Sequence, residues 1–162
     1  MKRRGSHFQM VQGKSGVPYI DARDESLIIP LRANGEVIFI VEPSAAFEED
    51  VLLLPGGSVE SGESAAETAD RELQEEIGYK AARLDYLGVV RPWSKYLRVS
   101  SHIYLGRELR ESQAKGDEEY DIQRITVPLD DTPRLIREGA IRDARVIVAL
   151  QLVRTYLDDE TA

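Results

Sequence analysis

The sequence predicts an α/β (α+β) sandwich, a mixed β-sheet system with helices on its faces, and three observations carry that prediction. Apolar runs of strand length recur between turn residues along the first half of the chain. A segment in the middle has both the start and the stop signals of a helix. The last third reads as a short and then a longer helix, giving the order β-β-β-α-β-β-β-α.

The elements follow in order. Residues His7 to Val11 and Val17 to Ile20 flank Gly13-Lys14-Ser15-Gly16 and read as a small hairpin on the domain edge, residues 1–22. Gly13-Lys14-Ser15 looks like the tail of a phosphate-cradling loop, but the required first glycine would be position 8, which is Phe8, so the match fails. Ser26 to Leu31 and Glu36 to Val41 read as strands joined by Asn34-Gly35, a dipeptide suited to the left-handed angles of a tight turn. Val51 to Leu54 reads as a strand ended by Pro55-Gly56-Gly57. Ser64 and Glu67 have the spacing of a capping box and Gly78 suits a C-terminal cap, so Ser64 to Ile77 is predicted as a helix. Strands are predicted at Leu84 to Val90, Val99 to Leu105 and Ile122 to Val127. A short helix follows Asp131, with Pro133 in its first turn, and Ala144 to Leu157 forms a core-packed helix with a wide apolar stripe.

Composition bounds the function. At 162 residues, 42% of them apolar, the chain suits one domain, 1–162, with a real core. Cysteine is absent, which removes disulfides, a thiolate nucleophile and thiolate-bound metals, and two histidines do not build a metal cage. A net charge of −8 argues against nucleic acid as a partner. No apolar stretch approaches the roughly 20 residues that span a bilayer, and Met1-Lys2-Arg3-Arg4 is followed by no signal-like apolar segment. No membrane association and a cytoplasmic location are expected. No G-x-S-x-G elbow supports serine acyl chemistry, and His102, in an apolar run, reads as a packed histidine.

The chemistry concentrates on the middle helix. At about 100° per residue, Ala66, Ala69, Leu73 and Ile77 share an arc of about 80°, the core face. Glu72, Glu75 and Glu76 cover an adjacent arc of about 100°. Three carboxylates at i, i+3 and i+4 repel one another by a few tenths of a kcal/mol per pair and oppose the helix dipole in its last turns. A hard cation, Mg²⁺ or Mn²⁺, would relieve both penalties; a solvated acidic face is the alternative. Arg71 is placed to lock the helix to the preceding loop through Glu63, and Gly56-Gly57 lets the backbone approach a ligand closely.

The whole stretch, Gly57 with five residues to Glu63, seven more to Arg71-Glu72-Leu73-Gln74-Glu75-Glu76, then Ile77-Gly78-Tyr79, resembles the Nudix box, G-x5-E-x7-R-E-U-x-E-E-x-G-U. Every fixed position matches, and only the last apolar place departs, being Tyr79. The resemblance implies a Nudix-type α/β/α sandwich with a loop-helix-loop box, and hydrolysis of a nucleoside diphosphate linked to another moiety. It also implies that Glu72, Glu75 and Glu76, with the Gly56 carbonyl, hold Mg²⁺ or Mn²⁺, and that Gly57, Glu63 and Arg71 are structural. It leaves two places for the general base: the box helix, at Glu75 or Glu72, or an acidic loop further on, at Glu118 or Glu119. Glu75, Glu76, Glu118 and Glu119 are thus the candidate catalytic residues.

The acidic loop, and the run Ile141 to Leu150, are similar to the ADP-ribose pyrophosphatase branch, as is Arg23 ahead of the first core strand. Leu53, Val41-Glu42-Pro43-Ser44 and the position of Pro92 depart from that branch. Trp93 and Tyr96 are candidates to stack on a base, and Lys95 and Arg98 to meet phosphates, with loop packing as the alternative. ADP-ribose or a related ADP-sugar is the expected substrate; dinucleoside polyphosphates, NADH, oxidised nucleoside triphosphates, or a nucleotide-sensing role without turnover are the alternatives. An intact glutamate set favours an enzyme over a sensor. The N-terminal hairpin resembles the segment that related enzymes exchange across a dimer, so a homodimer is expected.

Overall fold

Two strands buried on both sides organise the molecule. In β3 (Glu25–Pro30), Leu27 and Ile29 join one core and Ile28 the other. In β4 (Glu36–Ser44), Val37 and Phe39 divide from Ile38 and Ile40 in the same way. Each face needs a cover. Helix α1 (Ala65–Ile77) lays Ala69, Leu73 and Ile77 over Ile28, Ile38 and Ile40. Helix α3 (Ala144–Thr161) lays Val146, Ala149, Leu150 and Val153 over Leu27, Ile29, Val37, Phe39, Ile103 and Leu105. Burying each such large side chain stabilises the fold by about 1.5–3 kcal/mol. The layers are α/β/α.

The structure, a computed structural model, describes residues 8–112 and 122–162. A four-stranded sheet runs β6 (Gly56–Ser58), β3, β9 (Ser101–Glu111), β7 (Tyr79–Val90); β3 and β9 are parallel and the other pairs antiparallel. A second sheet places β4 between β10 (Gln123–Pro128) and β5 (Glu49–Leu53). The N-terminal hairpin of β1 (Gln9–Gln12) and β2 (Pro18–Asp21) pairs with the two-residue β8 (Leu97–Arg98) as a third sheet. A short helix α2 (Thr132–Arg137) carries Pro133 in its first turn.

The expectation of one sheet system is corrected here. Asn34-Gly35 does make the predicted turn: Gly35 has φ 83°, the Gly35 N–H donates to the Arg32 carbonyl at 3.0 Å, and Leu31 bridges Val37. Beyond that bridge β3 and β4 separate into different sheets. Both are apolar on successive residues, so each must lie between two covering layers rather than extend one half-exposed hairpin. Gly56-Gly57, expected with Pro55 only to terminate the preceding strand, instead opens a strand of its own, Gly56–Ser58, against β3. A Cβ on Gly56 would lie 2.3 Å from the Ser26 carbonyl oxygen, so only glycine permits that approach. β7 starts at Tyr79 rather than Leu84, and a strand start accommodates the aromatic ring. α3 continues past Leu157 because Glu160 binds Arg83 at 2.8 Å and Arg107 at 2.6 Å, and Arg107 lies over the Tyr156 ring at 5.5 Å.

Candidate active site

Local signals fix the phase of α1. The Ser64 hydroxyl accepts from the Glu67 N–H at 3.2 Å, and the Glu67 carboxylate accepts from the Ser64 N–H at 2.8 Å, completing a capping box. Gly78, at φ 71°, closes the helix in the left-handed conformation. With Leu73 and Ile77 locked into the core, Glu72 and Glu76 are drawn under cover beside them, at 8% and 5% exposure. Glu75 stands half-buried on the same flank.

One arginine ties this face to the loop before it. Arg71 Nε and Nη2 donate to the two Glu63 oxygens at 2.9 and 3.1 Å. Its Nη1 donates to Glu72 Oε1 at 2.7 Å and Glu75 Oε2 at 2.9 Å. Glu63 also accepts from the Thr68 hydroxyl at 2.8 Å and the Glu60 N–H at 3.3 Å. The Arg71 guanidinium, helped by Thr68 and the Glu60 N–H, holds the Glu63 carboxyl down at about 2 against the opposing effect of burial. In return Glu63 raises the Arg71 pKa, with Glu72 and Glu75 adding to it. Glu76 accepts from the Gly56 N–H at 2.9 Å. A Cβ on Gly57 would lie 2.2 Å from Glu72 Oε1, so the carboxylate fills the space that glycine leaves.

Three carboxylates, Glu63, Glu72 and Glu75, thus share one guanidinium, and Glu76 stands beside them on the helix. Their oxygens are hard donors, two of the three on the helix face are buried, and the glycine pair lets the backbone close over them. That donor set fits a divalent cation of the Mg²⁺ class. Among the described residues no three acidic or imidazole side chains already converge to hold an ion. Glu72 and Glu75 are turned to Arg71, and Glu76 to Gly56. Gly56 meets the helix through its N–H, which donates to Glu76. Glu118 and Glu119, the loop candidates for general base, lie outside the described residues.

The candidate substrate residues gather at the hairpin. Trp93 packs edge-on to Tyr96 at 5.1 Å between ring centres, and Lys95 Nζ lies 5.0 Å over the Tyr96 ring. Arg98 pairs with Asp21 through Nε at 2.7 Å and through Nη2, and lies 5.6 Å over the Tyr19 ring. Lys95 and Arg98 line a cleft of about 600 Å³ with Arg91, Tyr19, Ser15 and Ser94. Arg23, exposed, lines an adjoining hollow with Asp24, Arg98 and Ser100. Asp24 joins this region to the box loop: its carbonyl accepts from the Val59 N–H at 2.8 Å and its carboxylate from the Ser100 N–H at 2.8 Å.

Sequence reasoning missed a second group beside the box. Arg145 binds Glu25 through both carboxylate oxygens at 2.9 and 2.8 Å, and Asp143 at 3.0 and 2.8 Å. Glu25 sits opposite Ser58 of the box in the sheet. Burial works against the Arg145 charge, but Asp143 and Glu25 more than offset it and raise its pKa. Arg145 also borders a cavity of about 490 Å³ with Pro43, Phe47, Val51, Leu53 and Arg142. Its pairing with Glu25 spans 120 residues, and no local pattern announces it.

A family model described as NUDIX domain matches residues 22–150. The chain is 30% identical over 135 residues to the ADP compounds hydrolase NudE of Escherichia coli (strain K12), covering 83% of this chain and 72% of that protein. It is 26% identical over 129 residues to the ADP-ribose pyrophosphatase of Bacillus subtilis (strain 168), covering 78% and 70%. A crystal structure of an ADP compounds hydrolase superposes with a TM-score of 0.81 at 26% identity, covering 98% of this chain and 91% of that one.

Proposed function

This chain belongs to the Nudix family, and from that premise we propose that it hydrolyses ADP-ribose or a related ADP-sugar to AMP and a sugar phosphate. It is a pyrophosphohydrolase acting on a small nucleotide with a divalent metal ion. The observation that carries the reading is the face of Glu72, Glu75 and Glu76, braced by Arg71 and Glu63 against Gly56-Gly57. The ADP-compound hydrolases among its relatives supply the substrate class.

Mg²⁺ is the metal we assign, with Mn²⁺ as a substitute, and Glu72, Glu75, Glu76 and Gly56 as the residues that would hold it. Bound there, it would neutralise the diphosphate and make water a better nucleophile. The chain's own residues do the rest. Arg71 and Glu63 hold the box loop at a fixed height over the helix, so the diphosphate and an attacking water meet in line. Glu75, Glu118 and Glu119 are the candidates to take that water's proton. Trp93 and Tyr96 offer rings to the base, and Arg23, Lys95 and Arg98 offer cations to the phosphates. The whole chain acts as one Nudix domain, with the hairpin of β1 and β2 as an arm to a second copy; residues 1–7 of the expected arm, 1–22, lie outside the described residues. Exposed Phe8, Met10 and Val17 on that hairpin support a homodimer. Among the described residues no helix is long and apolar enough to cross a membrane. A nucleotide substrate accords with a cytoplasmic site of action.

The test is product analysis with Mg²⁺ and a panel of ADP-ribose, ADP-glucose, NADH, diadenosine polyphosphates and 8-oxo-dGTP, with Glu76→Gln as control. AMP and ribose 5-phosphate from ADP-ribose, lost in the variant, are expected. Preference for another panel member discards the ADP-sugar, and binding without turnover discards the enzyme. Loss of activity in Glu118→Gln or Glu119→Gln, with Glu75→Gln still active, assigns the base to the loop. Sedimentation of an 18 kDa species at all concentrations removes the dimer.

A further inference from the structure

At the end of the fold beyond the C-terminus of α1, three arginines from three separate elements converge. Arg32 comes from the β3–β4 turn, Arg83 from β7 and Arg107 from β9. They border a hollow of about 480 Å³ whose other walls include Leu31, Leu109 and the ring of Tyr79. Such convergence is notable in a chain of net charge −8. Arg32 lies 6.0 Å over the Tyr79 ring, and its ion pair with Glu36 is long, at 3.9 Å. Arg83 and Arg107 are held in place from behind. Asp85 meets them at 3.0 and 2.7 Å, and Glu160 at 2.8 and 2.6 Å. Those bonds use Nε and Nη2 of Arg83, and among the described residues none is made by its Nη1. Glu108, exposed on the rim, has φ 54°, a left-handed strain that a non-glycine residue rarely carries.

We propose that this hollow is a second ligand site, separate from the glutamate face, and that it takes a nucleoside monophosphate. The base would lie against the Tyr79 ring and the Leu31 and Leu109 side chains, because an aromatic platform accepts any base. The phosphate would meet Arg32 and the Nη1 edge of Arg83, whose planar forks suit a tetrahedral oxyanion. Asp85 and Glu160 keep the Arg83 fork in one orientation, so little freedom remains to be lost on binding. Tyr79 is the one residue of the box that departs from an aliphatic, and it follows Gly78, the cap of α1. A ligand on Tyr79 therefore bears on the residue directly after the cap of the helix that carries Glu72, Glu75 and Glu76. The proposal stands independently of the substrate assigned above.

The experiment is photolabelling of the full chain with 8-azido-AMP in EDTA, followed by mass mapping of the modified peptides. Labelling near Tyr79, suppressed by excess AMP, is expected. Arg32→Glu should reduce that label at least tenfold, and Tyr79→Leu should reduce it as well. Should Tyr79→Leu fail to fold, Arg32→Glu decides alone, since Arg32 stands on a surface turn. Label found only near Trp93 and Tyr96, or label near Tyr79 that Arg32→Glu leaves intact, overturns the proposal.

Discussion

Gly57 and Glu72 share one space: a Cβ on the first would lie 2.2 Å from Oε1 of the second. Because Glu72 is buried and bonded to Arg71 at 2.7 Å, it cannot swing away without breaking that contact. Gly57→Ala should therefore move a carboxylate proposed to hold the metal while leaving the core intact. Displacements of about 1 Å at a reacting centre cost on the order of 100-fold. We expect kcat to fall by about that factor while the melting temperature drops by no more than a few degrees. A variant with full activity would show that Glu72 can occupy another position and still work.

The Glu63–Arg71 clamp predicts a pH dependence with a definite sign. Glu63 titrates at about 2 in the fold against an ordinary value of 4.5, so the folded state binds its proton more weakly than the unfolded chain. Its contribution is complete above about pH 4.5 and is lost as the pH falls from there toward 2. Glu63→Gln should destabilise by about 1–3 kcal/mol at pH 7. The difference from the parent chain should shrink through that acid window. Urea melts at half-unit intervals from pH 2 to 7 read this directly, and a difference that stays constant with pH assigns the effect to packing.

Arg145 joins the start of β3 to the start of α3 through Glu25 and Asp143. Its removal leaves two half-buried carboxylates facing each other without their cation. Arg145→Ala should cost about 2–3 kcal/mol in a urea melt. Adding Glu25→Gln should restore part of that loss, with a coupling energy of about 1 kcal/mol in the double-mutant cycle. Strict additivity would mean that the pair contributes nothing specific.

What was legible in the sequence follows from what is local. The box helix, with its capping box, its terminal glycine and the Glu63–Arg71 spacing, is specified within 23 consecutive residues, and the structure has it at the expected bounds. The Asn34-Gly35 turn was equally local, and it forms. The departure of β3 from β4 was not legible, because a fully apolar strand does not state which neighbours will cover it. The pairing of β3 with β9 joins Glu25 to Ser101 across 76 positions. The Arg145–Glu25 pair and the three-arginine hollow are long-range in the same sense. Their charges are visible in the sequence, but the sheet order decides which of them meet.

Trp93 is the single tryptophan of the chain, and 57% of its surface is exposed. Its emission therefore reports on one place, the loop proposed to receive the base. A ring that stacks on a base leaves water, which shifts its emission to shorter wavelength or quenches it. Titrating ADP-ribose into Glu76→Gln, where turnover is suppressed, should change the emission with a saturating curve. Trp93→Ala in the otherwise intact chain should raise KM for ADP-ribose about tenfold, the worth of about 1–3 kcal/mol of stacking, with kcat little changed. If the emission stays constant while calorimetry detects binding, the base lies elsewhere. The cavity of Pro43, Phe47, Val51 and Leu53 then becomes its place, and Phe47→Ala should carry the KM effect instead.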